Sequence, residues 1–321
     1  MKILNKIRRV NWLIQTDIIG KKLAKMGGLP HKNKIIKSYL GGEGNLKIKE
    51  LLLSGQPTMV CRYGASELQA IEHFYLRLFS FRKQAALTEI CIQSGFFPND
   101  KKLMPRFISL YAECAKYIDI LIAWNMLHGN MAEKKLIKKW SPDIMLADLS
   151  SLEAWLYNEP WTECLHDKKV LLVHPFERSI RYQYDNNREK LFFNPKILPK
   201  FKTLDIIRPP QAINMENTDG YNDWFDAYDD LCRKIEASDF DVAIIGAGAW
   251  GLPLAAFVKK QGKQAIHLAG STQLLFGIKG GRWELPSYGY QYKLYNEYWK
   301  RPYQEETPKN PNCDKGIVAY W

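Results

Sequence analysis

The side chains able to do chemistry fall into four short clusters, each placed just after an apolar run. The first is Arg62-Tyr63-Gly64-Ala65-Ser66-Glu67. An arginine there can clamp a phosphate, and a glutamate can take a proton or bind a metal; equally, the two can pair and merely brace a turn. The second is His174-Pro175-Phe176-Glu177-Arg178-Ser179, with Gln183 one helical turn beyond Ser179 on the same face. His174 can act as a base or as a structural hydrogen-bonder, and Ser179 can cap a helix. The third is Gly246-Ala247-Gly248-Ala249-Trp250-Gly251. The fourth, Gly270-Ser271-Thr272-Gln273 with Lys279 and Arg282 beyond it, adds hydroxyls, an amide and two cations.

The third cluster sits in a strand-turn-helix-strand pattern. Residues 242–245 are apolar, as in a strand buried on both faces; Pro253 stands near a helix start, Lys259 and Lys260 near its end, and Gly262 closes it. Glycines there let the backbone approach a ligand, while unpaired N–H groups at the helix N-terminus favour an anion such as phosphate. The turn matches the dinucleotide pattern G-x-G-x-x-G. That pattern needs an acid at the end of the following strand to hold the ribose, about 20 residues on. Here the strand runs to His267, and no Asp or Glu lies between Asp241 and Glu284. NAD is therefore not expected. A sugar-nucleotide or other phosphate ligand is the preferred reading, with a purely structural turn as the bland one.

The elements that must position these clusters are seven strands, predicted at 57–61, 118–124, 143–147, 169–173, 204–207, 242–245 and 264–268. Arg62, Glu67, Asn125, Asp148, His174, Ser179, Arg208 and the two glycine loops all follow their carboxyl ends. In a parallel sheet those ends share one edge, where open α/β folds keep their ligands. The expectation is an α/β, Rossmann-like, mostly parallel sheet of about seven strands flanked by helices.

At 321 residues with 46% hydrophobic content, the chain has ample material for a core. Its net charge of +12 is uneven: residues 1–50 hold 12 Lys or Arg against three acids, a net of +9. Apolar residues interleave with these cations, so residues 1–40 read as a helix able to rest on an anionic membrane surface, or as a solvated helix. Nucleic acid is not expected, because the rest of the chain is close to neutral and carries no recognisable binding motif. The start lacks the uninterrupted apolar core of a secretory signal. Six scattered cysteines without C-x-x-C read as free thiols in a reducing cytosol. Asp223, Asp226, Asp229 and Asp230 suit a helix start. An aromatic run from Tyr288, Tyr290 and Tyr292 through Tyr295, Tyr298 and Trp299 to Tyr303 suits either sugar faces or a segment wrapped over the domain. The division expected is a basic helical segment at 1–45, with Gly41 to Gly44 as linker, a catalytic α/β domain at 46–295, and an extended arm at 296–321.

Taken together, CRYGASEL (61–68), VHPFERSIRYQY (173–184), DVAIIGAGAWGLPLA (241–255) and IHLAGSTQLLFGIKGGRW (266–283) resemble, in order and spacing, bacterial glycosyltransferases of the GT-D fold and GT-D-like proteins of polysaccharide gene clusters. The resemblance spans roughly residues 50–300. It implies a hexosyltransferase moving a sugar from a nucleotide diphosphate, a UDP-sugar first among candidates, to a hydroxyl of a polysaccharide or lipid-linked glycan at the inner face of the membrane. In that family the first motif reads Arg-Phe-Gly-Asp-Gly-Glu, whose acids bind Mn2+ or Mg2+. Arg62, Gly64 and Glu67 match it, whereas Ala65 stands at the Asp position, which puts metal dependence in doubt. The resemblance assigns Arg62, Glu67 and His174 to catalysis, with Glu67 and His174 as alternative bases. It assigns Gly64, Ser179, Gln183, Gly246, Gly248, Trp250, Gly270, Thr272, Gln273, Lys279 and Arg282 to the donor. The alternatives are an NAD(P)-dependent oxidoreductase and a non-catalytic sugar-nucleotide-binding protein.

Overall fold

The computed structural model describes residues 38–321 except 77–79, 125–130, 217, 287–290, 292, 309–312 and 315–316, together with 30–31 and 34–35. Asn125, Tyr288, Tyr290, Tyr292 and the basic segment 1–29 lie outside the described residues. Eight strands form the central sheet: β1 (Ser38–Tyr39), β2 (Thr58–Cys61), β3 (Ile120–Ile122), β4 (Met145–Ala147), β5 (Lys169–Val173), β6 (Thr203–Ile207), β7 (Val242–Ile245) and β8 (Gln264–His267). Their spatial order is β1-β4-β3-β2-β8-β7-β5-β6, and every pairing is parallel. All seven predicted strands are present. The eighth, β1, adds an edge that two residues without periodicity do not announce.

Alternation along the strands divides the core into two layers. Met59, Cys61, Leu171, Val173, Ala243, Ile245 and Ala265 face one side, where they meet α2 (Ala65–Phe74), α3 (Lys83–Ser94), α4 (Met104–Ala115), α5 (Met131–Trp140), α7 (Trp224–Glu236) and α8 (Gly251–Lys260). Val60, Val170, Leu172, Val242, Ile244 and Ile266 face the other, against α1 (Gly42–Leu53), α6 (Glu177–Leu191), α9 (Ser271–Leu275), Trp283 and Trp299. Burying each such Leu, Ile or Val is worth about 1.5–3 kcal/mol. The sheet is thus dry on both faces, and polar groups gather where its strands end.

The expected linker at Gly41–Gly44 is instead the entry and first turn of α1. Gly44 is needed there for packing, since a Cβ on it would fall 2.0 Å from Ser151 Oγ. Residues 30–31 and 34–35, within the segment expected to be helical, pair as a short antiparallel ladder. Asp223 caps α7, accepting the N–H groups of Phe225 and Asp226.

The described parts of the segment after residue 296 are packed on the domain. Trp299 is buried, and Lys300 bridges to Ile278. At the far end Gly281 N–H donates to Trp321 O (3.3 Å) and Arg282 N–H to Ala319 O (3.0 Å).

Candidate active site

Register brings four strand ends together. Ile245 is level with both His267 and Val173, while Val60 is level with Ile266. The chain therefore leaves the sheet at one height at Arg62, Gly246, Leu268 and His174, from the four adjacent central strands β2, β7, β8 and β5.

The glycine turn after β7 is wedged among the other three ends. A Cβ on Gly246 would fall 2.6 Å from Thr272 Oγ1, 2.7 Å from His174 Cδ2 and 2.8 Å from Ala269 O. One on Gly251, the first residue of α8, would fall 2.1 Å from His267 Nε2. Gly248 has φ +51, a left-handed conformation that favours glycine, and lies against Ser94 O at the end of α3. Tyr111 OH on α4 donates to Ala249 O (2.8 Å) and fixes the turn from below. Gly248 itself is exposed, and no side chain caps α8.

Arg62 and Glu67 follow the end of β2. Glu67 is buried in the first turn of α2, and its carboxylate folds back over Gly64, where a Cβ would lie 1.9 Å from Oε2. Ser66 Oγ donates to Glu67 Oε2 (3.0 Å) and shares a 2.6 Å hydrogen bond with Ser94 Oγ. Glu67 is thus hydrogen-bonded through Ser66 to Ser94, whose backbone carbonyl packs against Gly248. Burial pushes the Glu67 carboxyl above its ordinary range, opposed by its own backbone N–H, the two serines and the Arg62 charge. The Arg62 guanidinium lies 4.2 Å over the ring of Trp124, whose Nε1–H donates to Tyr63 O (2.6 Å). The structure thus seats Arg62 on an aromatic face at the end of β3.

Two buried, neutral histidines lie at the ends of β5 and β8. Burial lowers His174 and His267 to about 3, so neither is charged at neutral pH. His174 Nδ1 accepts the N–H of Phe176 (3.1 Å), which leaves the proton on Nε2. Among the described residues, His267 Nδ1 and Thr272 Oγ1 are buried without a hydrogen-bond partner. Both residues press on the glycine turn. Orphaned buried polar atoms are uncommon, and these two belong to residues beside one turn. His267 was visible in the sequence only as a missing acid.

Several residues assigned to the donor by resemblance also make hydrogen bonds or packing contacts within the fold. Trp250 is 2% exposed, stacks on Trp224 with ring centroids 5.8 Å apart, and donates to Trp224 O. Gln183 Nε2 donates to the carbonyls of Gly277 and Tyr298, and its oxygen accepts from Asn187. Gln273 Nε2 donates to Ile278, Lys279 and Tyr320 carbonyls. Ser179 donates its hydroxyl to Glu306, whose carboxylate also accepts the N–H groups of Arg178 and Ser179 at the head of α6. Arg282 stacks on Tyr320 at 4.5 Å and donates to its hydroxyl (2.8 Å), while Gly270 lies under the same ring. Lys279 lines a separate cleft of about 420 Å³ with Glu284, Lys293, Tyr295 and Asn296. Asp148 accepts from Gly41 N–H, Ser150 and Ser151, and Arg208 pairs with Asp219 at 2.9 Å. What meets at one place is Arg62, Gly64, Glu67, His174, Gly246, Gly248 and Thr272, joined by His267.

At the position where the resemblance places Mn2+ or Mg2+, Ala65 supplies no ligand and the Glu67 carboxylate folds back over Gly64.

Comparison with solved structures gives two matches. One is described as the selenomethionine-substituted structure of domain of unknown function 1792; it is 14% identical, covers 84% of this chain and 92% of that one, and has a TM-score of 0.45. The other is described as showing that this highly conserved domain has a distinct glycosyltransferase fold; it is 15% identical over 73% of this chain and 78% of that one, with a TM-score of 0.41. No family model and no curated protein matches the chain. No helix among the described residues is long and apolar enough to cross a membrane.

Proposed function

We propose that the chain is a glycosyltransferase that moves a sugar from a nucleotide diphosphate, a UDP-sugar by preference, to a hydroxyl of a polysaccharide or lipid-linked glycan. The observation that carries this reading is the meeting of Arg62, Glu67, His174 and the Gly246–Gly251 turn at the ends of four adjacent strands. In the transfer, the bond between the anomeric carbon and the diphosphate oxygen breaks, and the acceptor oxygen bonds to that carbon. The diphosphate leaves with the electron pair. Arg62 and the uncapped N–H groups of α8 stabilise its growing charge. Because His174 is neutral with Nδ1 already engaged, Glu67 is the better proton acceptor. Its raised affinity for a proton suits that role.

The acidic residue that would hold a dinucleotide ribose is replaced by buried His267, against Gly251, which disfavours NAD(P). Residues 1–40 would hold the enzyme at an anionic membrane surface, near a lipid-linked acceptor. The test is a screen of nucleotide sugars, with and without manganese, for donor hydrolysis and transfer. Turnover lost in Glu67→Gln and in Arg62→Ala supports the reading; saturable NAD(P) binding without any sugar-nucleotide binding removes it.

A further inference from the structure

We propose that Glu133 is a positioning residue that holds Trp124 as the platform for Arg62. The inference rests on the donor-binding reading of Arg62 given above. Glu133 lies in the first turn of α5 and is 1% exposed. Its Oε2 accepts the backbone N–H of Trp124 (3.3 Å), and among the described residues its Oε1 has no partner. An acid so deeply buried and half-satisfied contributes nothing to packing that an apolar residue would not, so its use is the contact it makes.

That contact leads directly to the site. Trp124 is 38% exposed at the end of β3, tied by Glu133 at its backbone and by Tyr63 O at its indole nitrogen. Arg62 rests 4.2 Å over the ring between those two ties. A guanidinium seated over an indole face is held in place, and the backbone that carries this indole is held in turn by Glu133. Arg62 and Tyr63 are the groups of the β2–α2 connection that share its field. Burial raises the Glu133 carboxyl to about 7, so near neutrality much of it is uncharged. The hydrogen-bond acceptor, present in either form, is the feature required of it.

Two measurements on the full chain test this. The first needs no ligand: the Trp124 indole N–H resonance, assigned by its loss in Trp124→Phe, should shift in Glu133→Ala and stay in place in Glu133→Gln, which keeps an acceptor oxygen. An unmoved resonance in Glu133→Ala overturns the proposal. The second is UDP-sugar affinity. Glu133→Ala should weaken it about tenfold, Glu133→Gln less than threefold, and Glu133→Ala should have no further effect in an Arg62→Ala background. An equal loss in both backgrounds, or a Gln variant as weak as Ala, makes Glu133 merely structural and overturns the proposal. Failure of the wild type to bind any UDP-sugar overturns the donor reading itself, while the resonance still decides the link between Glu133 and Trp124.

Discussion

Gly246 and His174 touch across neighbouring strand ends, so closely that a side-chain carbon on Gly246 would fall 2.7 Å from His174 Cδ2. The same carbon would press on Thr272 Oγ1 and on the carbonyl of Ala269. Gly246→Ala should therefore spread the strand ends, lowering stability by about 1–3 kcal/mol as overpacking does and donor affinity by at least tenfold. Calorimetric unfolding and donor titration of the same variant check both effects.

His174 and His267 make stability acid-sensitive. Both have folded values lowered to about 3 from 6.5, so their contribution is full above pH 6.5 and is lost as pH falls toward 3. Each represents on the order of 5 kcal/mol at neutral pH. Unfolding measured between pH 5.5 and 4 should take up close to two protons in addition to those bound by carboxylates, and His174→Gln should reduce that uptake by about one.

Glu133 acts in the opposite sense. Its folded value is raised to about 7 from 4.5, so the folded state favours the proton, and stability falls as pH rises from 4.5 through 7. Glu133→Gln should be more stable than wild type at pH 8 by about 3 kcal/mol, with no advantage at pH 4. Midpoints of urea unfolding at the two pH values measure the difference.

Ser179 separates framework from site. Its hydroxyl is given to Glu306, and Tyr303 N–H donates to it (2.8 Å). Ser179→Ala should cost about 1–2 kcal/mol of stability, as other lost helix-end hydrogen bonds do, while donor affinity changes less than threefold. A tenfold loss of affinity at unchanged stability would return Ser179 to the donor site.

The strands and the polar residues at their ends were legible because apolar runs stopping at glycine, histidine or arginine carry a local signal. The order of the sheet was not, since β8 is inserted between β2 and β7, and parallel pairing leaves no mark on neighbouring residues. The resemblance assigns Ser179, Gln183 and Gln273 to the donor, with no sign in the sequence of their partners within the fold. Their partners, however, lie at Glu306, Tyr298 and Tyr320 in the segment that folds back over the domain. Glu133 was hidden for the opposite reason. It lies in Met131-Ala-Glu-Lys-Lys-Leu-Ile-Lys-Lys-Trp140, a lysine-rich stretch with no glycine or strand end to mark it, and only the fold turns that one acid inward.

The most direct test of the whole account is calorimetric titration of UDP-sugars into the wild-type chain and Arg62→Ala, with and without manganese. Saturable binding that persists in chelator and falls at least tenfold in Arg62→Ala is the result expected from Arg62 and the glycine turn sharing one diphosphate. Binding that requires manganese and is indifferent to Arg62 would contradict it.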